Sequence, residues 1–343
     1  VGLLSLSSPP PLDAQAMAEA RARWETRVMP SGALGRLQDV AVRLSGIAGV
    51  CPPPAPRRPV VAVLAGDHGV VADGASAWPA EITAAMVATV SSGGAAISVF
   101  AESVGAGVVV VDVGVKTPFG PLPGVRVERV AEGTASIAAG PAMTTSQAEA
   151  ALAVGSRVAS EQVEAGADCL IGGDLGIGNT TSAAALIGAF TGRPAEAVTG
   201  TGAGVPAKGI DHKRKLVAAA IERAAACTGP LEVLAAAGGL EIAALAGLYI
   251  GAAQNRVPCI VDGVIAGAAL FAADALVPGT AAHAVAGHRS AEPAACIVLD
   301  RLGLDPLLDL NLRLGEGTGA CLAFPLVKAA ALALADMADL PEP

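Results

Sequence analysis

The stretch RLGEGTGACLAFPLV, Arg313 to Val327, sets one carboxylate, Glu316, among glycines that run into apolar sequence. Loop acids are usually solvated, and a solvated turn acid is one reading of Glu316. Its glycine and apolar neighbours cannot solvate it, however, so this loop by itself leaves the task of the carboxylate open.

A second stretch, GGDLGIGNTTSAAALIGA from Gly172 to Ala189, reads as a strand end, a glycine turn and a helix opening at Asn179, Thr180 or Thr181. Free N–H groups and the positive end of a helix dipole suit an anion, and glycines let a phosphate approach the backbone. A tight turn with an Asn or Thr cap explains the same residues. No Lys-Ser/Thr follows the glycines, and Gly173-x-x-Gly176-x-Gly178 lacks the dinucleotide spacing. A mononucleotide or sugar phosphate therefore fits better than ATP or NAD. Downstream, GTGAG at Gly200 to Gly204 is followed by Lys208 and Lys213, either of which would neutralise a phosphate or simply be solvated.

Other chemistries find less support. The histidines, at 68, 212, 283 and 288, lack the HxxxH spacing of many zinc sites. Asp67-His68 and His288 could still converge at a sheet edge, but satisfied or solvated histidines are the simpler expectation. No GxSxG is present. The six cysteines are scattered without a CxxC pair and read as reduced core residues of a cytoplasmic protein.

These residues need a frame to position them. From Val60 onward, the β-branched runs VVAVLAGDHG, GVVVVDVGV, DCLIGGDLGIGN, VPCIVDGVI and AAHAVAGHRS alternate with Ala-rich helical segments. Continuous apolar strands between helices predict an α/β fold, a doubly wound, mainly parallel sheet with helices on both faces. Ligands in such sheets bind beyond the carboxyl ends of the strands, where Asp67, His68, Asp112, Asp174, Asn179, Asp262 and His288 to Glu292 fall. Before the proline cluster CPPPAPRRP, residues 13 to 46 read as helical, with Asp13 as N-cap and a break at MPSGALGRL. After Leu302 the chain returns to helix around the Glu316 loop.

Composition bounds the rest. The 343 residues are 53% hydrophobic but only 2% aromatic, so the core must be built of small side chains packed closely. With 22 basic against 31 acidic residues and no basic run longer than HKRK, nothing points to nucleic acid. The N-terminal VGLLSLSSPPPLDAQ lacks the basic start of a signal peptide. Uncharged stretches such as 85 to 101 are broken by Ser and Gly before they reach membrane-spanning length. A soluble protein without membrane association is expected.

Ten collinear pieces carry a family resemblance: AGDHGV, PAEITAAMV, GGAAI, VVDVGV, GGDLGIGNTTSAAAL, GTGAG, EIAALAG, PCIVDGVIAGAAL, GHRSAEP and LDLNLRLGEGTGACLAFPLV. Together they cover most of the chain, which resembles the nicotinate-nucleotide:dimethylbenzimidazole phosphoribosyltransferases of cobalamin lower-ligand activation. The resemblance implies Glu316 as catalytic base. It implies a nucleotide and phosphate region of Asp174, Gly176, Ile177, Gly178, Asn179, Thr180, Gly202, Lys213 and Ser290, and a base pocket of Trp78, Pro79, Met86, Leu314 and Gly315. It also implies a large domain at 55–300, a small helical domain from 1–54 with 301–343, a homodimer, small-molecule substrates, and neither cofactor nor metal. The reaction implied is a single displacement with inversion, from nicotinate mononucleotide to α-ribazole 5'-phosphate.

The chain departs from its relatives in places. Asp174 stands where many carry Glu, Trp78-Pro79-Ala80 stands where many have Ser-Pro-Gln or Tyr-Pro-Gln, Met86 replaces a polar residue found in some, and MPSGALGRL lacks the usual Lys-Pro. A different acceptor (adenine, another benzimidazole or a phenol) is therefore a second reading. A non-catalytic nucleotide- or base-binding relative is a third.

Overall fold

The computed structural model describes residues 7–341. The first six residues of the N-terminal segment discussed above, and the last two of the chain, lie outside it. The sheet has six strands: β1 Pro59–Gly66, β2 Gly107–Gly114, β3 Val125–Val127, β4 Cys169–Leu175, β5 Cys259–Val261 and β6 Ala284–Ala286. All pair in parallel, in the order β3-β2-β1-β4-β5-β6. The five apolar runs of the sequence are thus strands, and the doubly wound α/β expectation holds. The sixth strand, β3, is a three-residue edge segment, Val-Arg-Val, with no fully buried residue. It has no apolar run by which it could have been recognised.

Strand periodicity divides the core. Val61 and Val63 of β1 face one side, with the helices Arg36–Ala48, Ala96–Val104 and Thr318–Asp336. Ala62 and Leu64 face the other, against Thr145–Glu164, Leu240–Gln254, Val264–Leu276 and Asn179–Thr191. Each buried Val or Leu contributes roughly 1.5–3 kcal/mol. With so few aromatics, that burial depends on close approach: every residue from Leu240 to Ala253 is buried. Asp13 caps the first helix as expected, its carboxylate accepting the Ala16 N–H at 2.8 Å.

Two stretches, Ile82–Val104 and Thr318–Asp336, are long and apolar enough to cross a membrane by length and composition alone. The first is interrupted, its helices ending at Ser91 and restarting at Ala96. The second packs Ala320, Cys321, Phe324 and Val327 into the core.

Winding reverses at β1, whose neighbours β2 and β4 lead to opposite edges of the sheet. Successive loops part there and leave a crevice at the carboxyl ends. Asp67 and His68 follow β1, and Asp174 to Gly178 end β4 and form its turn.

Candidate active site

Glu316 lies in a loop forced into an unusual backbone. Gly315, Glu316 and Gly317 have φ of 87°, 63° and 87°, a run of left-handed residues that a non-glycine tolerates only at a cost of about 1–2 kcal/mol. The loop lies directly on β4: a Cβ at Gly173 would collide with the Glu316 carbonyl. The glycines therefore bring this carboxylate onto the sheet and into the crevice. Its side chain is not the solvated turn acid of the first reading, since Glu316 is only 5% exposed. Burial pushes its carboxyl above the usual range; the Ile97 N–H opposes this and nearby Asp262 reinforces it. Ile97 is in the first turn of Ala96–Val104, and its N–H reaches Oε2 at a long 3.4 Å. Oε1 makes no hydrogen bond among the described residues. A half-desolvated carboxylate with one unused oxygen is a suitable proton acceptor.

The turn after β4 is built differently from the Asn or Thr cap considered above. Gly178, at φ 94°, is the N-cap of Asn179–Thr191, with no side-chain cap. Asn179 instead turns its amide to Asp174, Nδ2 donating to Oδ1 at 2.9 Å. The Ile177 N–H donates to Thr83 Oγ1 at 3.1 Å, and those of Asn179 and Thr181 reach the carbonyls of Gly176 and Gly178. The N–H groups of Gly178 and Thr180 take no acceptor among the described residues, so the helix start keeps donors for an anion. Of the two lysines considered, Lys213 comes to this turn. Its Nζ donates to Thr180 Oγ1 at 2.9 Å while its side chain is 1% exposed. Burial lowers its pKa to about 8, against the pull of Glu292.

Behind the turn lies a group of buried acids. Burial pushes the Asp174 carboxyl well up, with repulsion from Asp262, Glu241 and Glu316 adding to it. His68 and His288 do not converge. The His68 Nε2 pairs with Glu241 Oε1 at 2.7 Å and its Nδ1 lies 3.0 Å from Ser182 Oγ, within the first turn of Asn179–Thr191. Burial alone would make this imidazole less basic, but Glu241 outweighs it and the pKa rises. His288 Nε2 lies 3.3 Å from Asp262 Oδ1, and Asp262 in turn accepts the Ala320 N–H at 2.9 Å, tying β5 to the helix after the Glu316 loop. Among the described residues no group of three or more His, Cys, Asp or Glu side chains is arranged to hold a metal ion.

A cavity of about 480 Å³ joins these parts, within the size range of small-molecule sites. Glu316, Asp174, Gly176, Ile177, Asn179, Thr180, Gly202, Ser290, Trp78, Met86, Leu314 and Gly315 line it. Of the site residues that the family resemblance implies, three do not. Gly178 closes the turn behind it, and Lys213 reaches it only through Thr180. Pro79 lies across the Trp78 loop, in a neighbouring cleft with Asp67 and Lys116, because the chain reverses there to start Ile82–Ser91. At the rim, Trp78 and Leu314 are 52% and 59% exposed. The Trp78 ring N–H donates to the Ala203 carbonyl at 3.1 Å, tethering it to the 200–204 turn.

Sequence reasoning missed Ile82, Val264 and Ile265, which complete the apolar wall, and Arg313; Glu292 it placed among the polar strand ends without giving it a role. The first three read as ordinary helix residues. Glu292 sits inside the quoted GHRSAEP, yet its task is visible only once residue 202 is beside it.

Nearly the whole chain is similar to known proteins. The family model described as Phosphoribosyltransferase matches residues 9–342. A nicotinate-nucleotide–dimethylbenzimidazole phosphoribosyltransferase of Salinispora tropica is 48% identical, covering 96% of this chain and 94% of its own. One of Thermus thermophilus is 47% identical, over 93% of this chain and 95% of its own. The crystal structure of CobT from Thermus thermophilus superposes with a TM-score of 0.91 at 46% identity, covering 95% of this chain and 97% of the other. With near-complete coverage in both directions and a shared fold, the chain belongs to the nicotinate-nucleotide–dimethylbenzimidazole phosphoribosyltransferase family.

Proposed function

We propose that this chain transfers the phosphoribosyl group of nicotinate mononucleotide to dimethylbenzimidazole, giving α-ribazole 5'-phosphate and nicotinate, with Glu316 as the base. The observation that carries this reading is one cavity with a buried carboxylate, paired with no cation among the described residues, beside apolar side chains, and a helix start with free N–H groups.

The chemistry then needs one proton acceptor. The C–N bond to nicotinate breaks with its electron pair going to the pyridinium nitrogen, which leaves neutral at that atom and needs no acid. The unprotonated azole nitrogen forms the new C–N bond from the opposite face, inverting the β-nucleotide to an α-linked product. The proton on the other azole nitrogen passes to Glu316. The N–H groups at the start of Asn179–Thr191, with Thr180 and Lys213 behind them, hold the phosphate and fix the anomeric carbon against the acceptor.

The apolar wall favours an alkyl-substituted benzimidazole over adenine. Ile82, Met86, Val264, Ile265 and Leu314 offer methyl and methylene surface, and a purine amino group set against it would lose its hydration without a partner. Two-part organisation, 55–300 and 1–54 with 301–343, belongs to the same proposal. It is supported by the packing of Ala14–Thr26 and Arg36–Ala48 with Thr318–Asp336. Purified protein given nicotinate mononucleotide with dimethylbenzimidazole, benzimidazole, adenine or phenol should turn over dimethylbenzimidazole fastest. Equal turnover of adenine would sink the acceptor assignment, and turnover of none would sink the activity.

A further inference from the structure

Gly202 is held from both sides. Its N–H donates to Glu292 Oε1 at 2.8 Å, and its carbonyl accepts from Arg313 Nη1 at 3.1 Å. Its α-carbon also abuts the phosphate side: a Cβ there would lie 3.0 Å from Lys213 Nζ and would collide with Thr180 Oγ1. Glu292 is itself only 6% exposed and, among the described residues, forms no direct ion pair. It is a desolvated carboxylate spent on a backbone amide, one residue before the helix Pro293–Leu302. Lys213 is its counterpart, a buried ammonium whose hydrogen bond goes to a hydroxyl and not to an acid.

We propose that Glu292 is a positioning residue that acts through Gly202 and Lys213. It fixes the 200–204 turn and sustains the ammonium charge behind the phosphate turn, and so sets nucleotide affinity. This deepens the proposed function and rests on it. A carboxylate in contact with Lys213 would neutralise the cation that the phosphate needs. One set back behind Gly202 stabilises the charge and leaves it uncompensated toward the ligand. Lys213 faces Thr180 from Asn179–Thr191 and Gly202 from the turn. Glu292 is the carboxylate that raises its pKa against burial, which still holds it to about 8. Arg313 lies on the other side of Gly202, at its carbonyl.

A merely structural Glu292 would need only an acceptor oxygen, which Gln supplies. Isothermal titration with nicotinate mononucleotide from pH 6.5 to 9.5, where a phosphate monoester with second pKa about 6 is mainly dianionic, separates the two roles. Wild-type affinity should weaken above about pH 8 as Lys213 loses its proton, by up to roughly tenfold per pH unit. In Glu292→Gln the onset should move down by about half to one pH unit. In Lys213→Arg, which does not titrate in this range, the weakening should vanish. An unshifted onset in Glu292→Gln would overturn the proposal, as would an alkaline limb that survives Lys213→Arg. Failure of the wild-type protein to bind the nucleotide at all would overturn the underlying function, and this inference with it.

Discussion

Glu316 and Lys213 stand at the two ends of one site, and burial acts on them in opposite senses. It raises the carboxyl of Glu316 and lowers the ammonium of Lys213, favouring the neutral form of each. The difference lies in compensation. Glu316 has an acid, Asp262, for its neighbour and only a single long N–H contact to oppose burial, so its carboxyl stays raised. Lys213 has Glu292 set back behind Gly202, so its charge is partly retained. On the proposed mechanism, one end takes a proton and the other keeps one.

Substitutions should break the two ends differently. The largest effect is expected at Glu316. Glu316→Gln keeps the shape and the capacity to accept from Ile97 but not the basicity, and should lower kcat roughly 10²–10⁴-fold while both substrates still bind by calorimetry. Unchanged turnover would remove Glu316 from the mechanism. At the other end, Lys213→Met should raise KM for the nucleotide by about 10- to 100-fold, the worth of a charge-assisted hydrogen bond, with a smaller change in kcat. A reversed split in steady-state kinetics would place Lys213 with the chemistry and not with the phosphate.

The rim offers a milder perturbation. Trp78→Ala, losing a half-exposed ring that a bound acceptor would cover, should raise KM for dimethylbenzimidazole about threefold to tenfold and leave KM for the nucleotide unchanged. Equal effects on both would mean that the Ala203 tether, not ring contact, is what matters. Smallest of all is a gain in stability. Asp174 is buried with a raised pKa, so above the unfolded value near 3.9 the unfolded chain ionises while the native group resists, and stability falls as pH rises. Asp174→Asn, which still accepts from Asn179, should therefore be more stable by about 1 kcal/mol at pH 7, seen as a higher Tm. The gain should fade below about pH 4, where the carboxyl is protonated in both states. A destabilised variant at pH 7 would show that the charge at 174 is wanted.

Much of this was legible in the sequence, for identifiable reasons. The strands declared themselves by apolar runs such as VVAVLAG, and the strand ends followed from them, which is how Asp67, Asp174 and Asp262 could be grouped before any contact was known. Glu316 stood out because its neighbours are glycines. What stayed hidden depends on long-range placement. Glu241 opens a helix and reads as an ordinary first-turn acid, yet it is fully buried against His68, 173 residues away. Glu292 serves a backbone amide 90 residues distant. The N–H of Ile97, within 3.4 Å of Glu316, carries no side-chain signal at all. Cap chemistry misled in one place: Asn179 has the residue type of a helix cap, but the nearby Asp174 carboxyl claims its amide, and Gly178 takes the cap position by its positive φ.

The pH dependence of kcat, at saturating nucleotide and acceptor, tests most directly whether a buried, uncompensated Glu316 takes the azole proton. The wild-type rate should fall on the acid side with an inflection clearly above the ordinary Glu value of about 4.3. That inflection should be absent from the residual rate of Glu316→Gln. An inflection at the ordinary value, or one that persists unchanged in Glu316→Gln, would contradict the assignment.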